Sequence, residues 1–265
     1  MLPIKILTFL TFAAGMSLYP MTSHKLSFPE YKIKKIMIDP GHGGRDTGCS
    51  GVKAIEKEVT LSIAQAVGKM INDSLPDVEV VYTRTHDEFL RPGARADIAN
   101  CSGADLLISV HCNSLPRYPN VRGTETYVMR YANKKYLKVD ESKSDVGELV
   151  ETHYTQNNDA VDMTNNFLTE LDRYPNLYQS VILAGLVEKF FKTQTPLKSR
   201  GVRQENYSVL RDTYMPSVLV EMGFLSNRDD EAYINSNEGK AEISTAIYNA
   251  FKEYKKAIEG KRIMK

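Results

Sequence analysis

From Tyr31 onward the chain alternates between short apolar runs and longer stretches in which apolar residues return every three or four positions. "KIKKIMID" (32–39) reads as a first strand, and "VEVVYTR" (78–84), rich in β-branched residues, as a second. Between them, "EKEVTLSIAQAVGKMIND" (56–73) sets Val59, Ile63, Val67 and Met70/Ile71 at helical spacing and ends near Pro76. "RPGARADIANCSG" (91–103) predicts a short helix closed by Gly103. "DLLISVHCNS" (105–114) is almost continuously apolar as far as His111, as a strand buried on both faces would be. "GTETYVMR" (123–130) predicts a fourth strand. "PNLYQSVILAGLVEKFFKT" (175–193) places Tyr178, Ile182, Leu186 and Phe190 on one stripe of a helix. "YSVLRD" (207–212) and "SVLVEMGF" (217–224) read as two more strands, joined through Met215-Pro216. A last amphipathic helix runs through Ile243, Ile247, Ala250 and Tyr254.

Strand–helix alternation with apolar strands predicts the α/β class, a single twisted, largely parallel sheet of about six strands with helices on both faces. The expected domain covers residues 31–260. Residues 131–174 interrupt its regularity, being polar, rich in Lys, Asp, Glu and Asn, and long for a connection. That stretch is expected to be an insertion, either a cover over the active site or a peripheral loop.

Composition narrows the class only a little. The 265 residues are 42% hydrophobic and 25% charged, enough for a sizeable core. Lys+Arg number 34 against Asp+Glu 33, a net charge of +1, so the chain lacks the basic balance of a nucleic-acid binder. At the start, Lys5 precedes "ILTFLTFAAGMSLYP" (6–20), the length of a signal-peptide apolar region and too short to span a bilayer. Residues 1–23 are therefore expected to be a signal peptide, with small residues at Ala13, Ala14, Gly15 and Ser17 but no clean A-x-A cleavage pattern. Export to the periplasm or medium of a bacterial cell envelope follows, with no stable membrane span. Cys49, Cys101 and Cys112 lie in apolar or small-residue surroundings without C-x-x-C spacing and are expected to be buried thiols. A disulfide or metal contact for Cys49 and Cys112, both close to histidines, is the competing reading.

Candidate chemistry sits at strand ends. "IMIDPGHGGRDTG" (36–48) breaks from a strand into glycines around His42, Glu56 opens the first long helix, His111 ends the third strand, and Glu221 ends the last. In a parallel sheet the loops after the strands' C-terminal ends gather on one side, where ligands bind. Two histidines and a carboxylate meeting there match a catalytic zinc with a fourth position for water, and a second carboxylate nearby can move protons. Each residue also has a structural reading: a surface histidine, a first-turn acid favoured by the helix dipole, a glutamate paired with an arginine. Residues alone leave both open.

"IMIDPGHGGRDTG", "IEKEV", "LLISVHCNS" and "PSVLVEMGFLSN" resemble, in order and spacing, the zinc-dependent N-acetylmuramoyl-L-alanine amidases of the amidase-3 family, across roughly residues 33–255. The resemblance implies hydrolysis of the amide between N-acetylmuramic acid and the first L-alanine of the peptidoglycan stem. It implies one Zn²⁺ per chain on His42, Glu56 and His111, and Glu221 as catalytic acid–base. Cys112 stands where the family more often has alanine. In some cell-division amidases of this type, an insertion helix places a glutamate on the zinc until an activator protein displaces it. "DVGELVETHYTQ" (145–156) offers Glu151, or Glu148, for that fourth ligand, with His153 nearby. The expected partners are peptidoglycan and such an activator, and the expected state is a monomer. A zinc peptidase cutting within stem peptides and a non-catalytic wall-binding protein are the alternatives.

Overall fold

A computed structural model describes residues 32–130 and 175–260. The signal-peptide assignment and the 131–174 insertion, with Glu148, Glu151 and His153, lie outside the described residues. Among those described, the strands are β1 (Lys35–Pro40), β2 (Glu79–Tyr82), β3 (Leu106–Asn113), β4 (Thr124–Met129), β5 (Ser199–Glu205) and β6 (Ser217–Phe224). The helices are α1 (Glu56–Ser74), α2 (Pro92–Ser102), α3 (Pro175–Gln194), α4 (Ser208–Arg211), α5 (Arg228–Asn235) and α6 (Asn237–Gly260).

The strands form one sheet in the order β2-β1-β3-β6-β4-β5. β2, β1, β3 and β6 run parallel, whereas β4 is antiparallel to β6 and parallel to β5. The largely parallel expectation thus holds for four strands, and the β4–β5 pair reverses it. Apolar alternation does not encode strand direction, so only the connections decide it. β3 and β6, the two most continuous apolar runs, sit at the centre of the order, where both faces are covered.

One face carries α1 and α3, with α6 packed against both helices. Its core joins Ile36, Ile38, Ile108, Val110, Val218 and Val220 to Val67, Val187 and Phe251. α3 is buried almost all round from Ser180 to Val187, not on one stripe, because it lies between the sheet and α6. The opposite face is thinner, with α2 and the single turn of α4 over Met37, Leu107 and Leu219. "YSVLRD" is that turn, not a strand: its amides at Leu210 and Arg211 return to Tyr207 O, and Val209 and Leu210 fill the thin core. The strand in that region is instead the polar "SRGVRQE" of β5. Gly103 closes α2 as expected, at φ 66°.

One buried charge of the sheet lies in β1. Asp39, fully buried, accepts from Thr83 Oγ1 (2.5 Å), Ser109 Oγ (2.6 Å) and Arg95 Nη1 (2.6 Å). Burial alone would raise its carboxyl, but Arg95 and the two hydroxyls outweigh that and hold it below its ordinary value of 3.8. Asp39 therefore contributes stability that is fully present above that ordinary value and is lost as pH falls through its lower folded value. Arg95→Ala leaves the carboxylate buried without its cation and is expected to destabilise the fold by about 3–5 kcal/mol at pH 7. The gap between variant and parent should narrow as acid protonates the variant's raised carboxyl; denaturant titrations at pH 7 and pH 4 measure it.

Candidate active site

β1 ends in the loop that carries His42, and two buried arginines fix that loop. Arg95, from α2, donates to Pro40 O (2.7 Å) and His42 O (2.5 Å). Arg84, after β2, donates to Pro40 O (3.0 Å), Gly41 O (2.8 Å) and Lys57 O (2.9 Å). The loop's carbonyls are thus satisfied from below, which lets His42 hold φ 58°, the left-handed region that a non-glycine residue adopts at a cost. Gly41 matters for space: a Cβ there would lie 2.3 Å from the His111 ring. At Gly48, φ 66°, a Cβ would lie 2.5 Å from Glu56 Oε2.

Glu56 opens α1 and reaches across the C-terminal end of β3. Its Oε1 lies 3.1 Å from His42 Nε2 and 3.0 Å from His111 Nδ1, and accepts from Cys112 N at 3.0 Å. Its Oε2 accepts from Cys49 N at 2.8 Å. The two imidazoles stand edge to face, centroids 4.9 Å apart. Ligand atoms of His42, Glu56 and His111 all lie within 4.8 Å of one another, so this trio can hold a metal ion. Burial alone would raise the Glu56 carboxyl, but the two histidines outweigh it and hold it well below the usual carboxylate range. Burial likewise works to lower His42, yet Glu56 and Asp46 prevail and raise it. Asp46 Oδ2 is 2.9 Å from His42 Nδ1, a close electrostatic contact bent away from hydrogen-bond alignment.

Glu221 stands in register with His111 on one side and Glu125 on the other. It lies within β6, three residues before its end, not at its tip. Only 8% exposed, it keeps Oε2 buried without a hydrogen-bond partner among the described residues. Burial, then the carboxylates of Glu56 and Glu125, push its carboxyl well above the usual range. No arginine pairs with Glu221 among the described residues; Arg200 Nε and Arg203 Nε lie 2.7 and 2.9 Å from Glu125 Oε1 instead. A buried carboxyl whose Oε2 has no partner among the described residues, in register with His111 and close to Glu56 and Glu125, is set up to exchange protons.

The structure thus brings together all four residues singled out by sequence. Sequence reading missed Asp46, Arg84, Arg95 and Glu125; their one signal is charge inside or just beyond otherwise apolar elements. The thiols divide. Cys112 is buried and packs in the main core where the small residue was expected, whereas Cys101 is exposed, contrary to expectation. Cys49 is half-buried, its thiol 3.3 Å from Cys112 O, and all three are free.

The sequence profile of the family described as N-acetylmuramoyl-L-alanine amidase, Amidase_3, matches residues 36–253. The amidase AmiA of Salmonella typhimurium is 31% identical over 225 residues, 83% of this chain and 75% of its own. The N-acetylmuramoyl-L-alanine amidase from Clostridium difficile 630 superposes with a TM-score of 0.64 at 25% identity, over 84% of this chain and 97% of that one. The CwlD amidase from Clostridioides difficile, solved in complex with the GerS lipoprotein, shares the fold with a TM-score of 0.60 at 21% identity, over 83% and 98%. A profile match over most of the chain and the convergence of its four motifs at one sheet edge agree: the chain belongs to the Amidase_3 family of N-acetylmuramoyl-L-alanine amidases.

Proposed function

We infer that the chain hydrolyses the amide between N-acetylmuramic acid and the L-alanine of the peptidoglycan stem, with His42, Glu56 and His111 holding one Zn²⁺ and Glu221 moving the proton. The observation that carries this reading is the convergence of the three donor atoms within 4.8 Å, beside a carboxyl whose buried Oε2 has no partner among the described residues. Two nitrogens and one carboxylate oxygen suit a zinc site that keeps an open position. Bound there, zinc supplies a Lewis acid that polarises the scissile carbonyl and acidifies water.

The remaining work falls to side chains. Glu221 Oε2 takes a proton from the attacking water and later delivers one to the departing amine of L-alanine. A cation on the neighbouring donors would favour the ionised carboxylate that the first transfer needs, against the burial and repulsion that raise this carboxyl. Glu56, its Oε2 tied to Cys49 N, keeps both imidazoles within reach of Oε1. Stripping metal with a chelator should abolish cleavage, and zinc should restore it at one ion per chain. Cleavage indifferent to chelation would overturn the metal assignment.

Asp46 acts as a positioning residue for His42. Asp46→Ala is expected to weaken zinc binding by about 10–100-fold, read by competition with a chromophoric chelator. A merely structural aspartate would leave that affinity unchanged.

The apolar stretch at 6–20 supports export, and with it action at the cell wall. Residues 131–174, carrying Glu148 and Glu151, are the segment to hold the enzyme off until an activator protein binds. Deleting residues 140–165 should speed release of stem peptide severalfold at unchanged zinc content. An unchanged rate would remove the autoinhibition.

A further inference from the structure

We propose that Tyr207 touches the substrate, its hydroxyl oxygen accepting a hydrogen bond from the N–H of the scissile amide and so turning the nitrogen's lone pair towards Glu221. This contact rests on the amidase reading and adds a residue to it.

The alternation of side chains along the strands places the reacting groups on the thinner face of the sheet. Leu107, Leu219 and Tyr127 pack on that face. Even steps along β3, β6 and β4 lead from them to His111, Glu221 and Glu125. Val209 and Leu210 of α4 complete the apolar part of the face. Tyr207, the residue before α4, stands where that part meets the acids.

Tyr207 is held there at both ends. Its carbonyl accepts from Leu210 N (3.0 Å) and Arg211 N (2.9 Å), and its ring meets Tyr127 edge to face, centroids 5.4 Å apart. The two hydroxyls differ in what they do. Tyr127 OH donates to Glu125 Oε2 at 2.8 Å, and the same carboxylate also takes Asn113 Nδ2, Arg200 Nε and Arg203 Nε. The Tyr207 hydroxyl has no hydrogen bond among the described residues, and the residue is 36% exposed. Burial, then the carboxylates of Glu221, Glu205 and Glu125, push its phenol up to about 12. It is therefore a neutral hydroxyl with open lone pairs, and Glu221 is the charge it feels most.

The order of the strands gives the direction of the contact. His42 follows β1 and His111 lies in β3, whereas the Tyr207 ring lies against β4, on the other side of Glu221 in β6. The scissile carbonyl belongs with His42, Glu56 and His111. A trans amide is planar, so its N–H points away from its C=O, across Glu221 towards Tyr207. Hydrolysis joins the water oxygen to the carbonyl carbon, moves one water proton through Glu221 to the nitrogen, and breaks the C–N bond to give an acid and an amine. The nitrogen takes that proton on its lone pair, which localises as the carbon becomes tetrahedral. With the N–H held by Tyr207, the lone pair faces Glu221. Tyr207 itself neither gains nor loses a proton.

The test compares the zinc-loaded full chain with its Y207F variant on two substrates. One is an N-acetylmuramoyl-L-alanyl peptide; the other is its ester counterpart, in which L-lactic acid replaces L-alanine and an oxygen replaces the N–H. Y207F keeps the ring against Tyr127 and breaks no hydrogen bond among the described residues, so zinc content and melting temperature should match the parent. Its kcat/KM on the amide should fall about 10-fold, carried by kcat, while hydrolysis of the ester is unchanged. Undiminished amide cleavage by Y207F, or the same loss on both substrates, would overturn the contact and leave the amidase reading standing. A parent enzyme that cuts inside the peptide and leaves the muramoyl bond intact would overturn the amidase reading, and this contact with it.

Discussion

Glu221→Gln is expected to lower cleavage of the muramoyl amide by about 10²–10⁴-fold, the usual contribution of a positioned acid–base group, while zinc content and fold stay unchanged. The substitution conserves shape and sits inside a fully buried strand, so packing against β3 and β4 survives. Among the described residues it breaks no hydrogen bond at Oε2, which has no partner there. It also removes the repulsion from Glu56 and Glu125 that raises this carboxyl, so thermal stability should not fall. What it removes is a site for the proton. Loss of turnover at full zinc occupancy would separate proton transfer from metal binding; full turnover would assign Glu221 a structural role.

His111→Ala is expected to empty the metal site, with zinc affinity down by more than the roughly 100-fold seen for residues that merely support a ligand, and cleavage lost with it. One of three donors goes, and His42 and Glu56 alone leave the ion underheld. The fold should persist, because Glu56 keeps the amides of Cys49 and Cys112 and the contact to His42. Zinc analysis of the purified variant, beside its circular dichroism spectrum, decides the matter. A folded variant that still carries one zinc would remove His111 from the ligand set.

The parts of the architecture written most plainly in the sequence are those with the most buried backbone. β3 and β6 are apolar because both faces are covered, and His111 and Glu221 stand out as polar residues within them. Glu56 is legible as the first residue of a helix whose apolar spacing is regular. β5 escapes notice because an edge strand needs no apolar run: its sequence is S-R-G-V-R-Q-E, and only Val202 is buried. The reversal of β4 and β5 is invisible for another reason, since alternation looks the same whichever way a strand runs. Arg84 and Arg95 read as surface charge, yet both are buried under the His42 loop, satisfied by carbonyls that no local pattern places there. The candidate ligands are therefore legible in the sequence, and the residues that hold them in place are not.

The most direct measurement is the identity of the bond that breaks. A defined muropeptide with its sugar intact, incubated with the zinc-loaded full chain and resolved by mass spectrometry, should yield an N-acetylmuramic acid with a free lactyl carboxyl and a stem peptide with a new L-alanine amino terminus. Fragments cut inside the stem peptide, with the sugar still bound to L-alanine, would contradict the account.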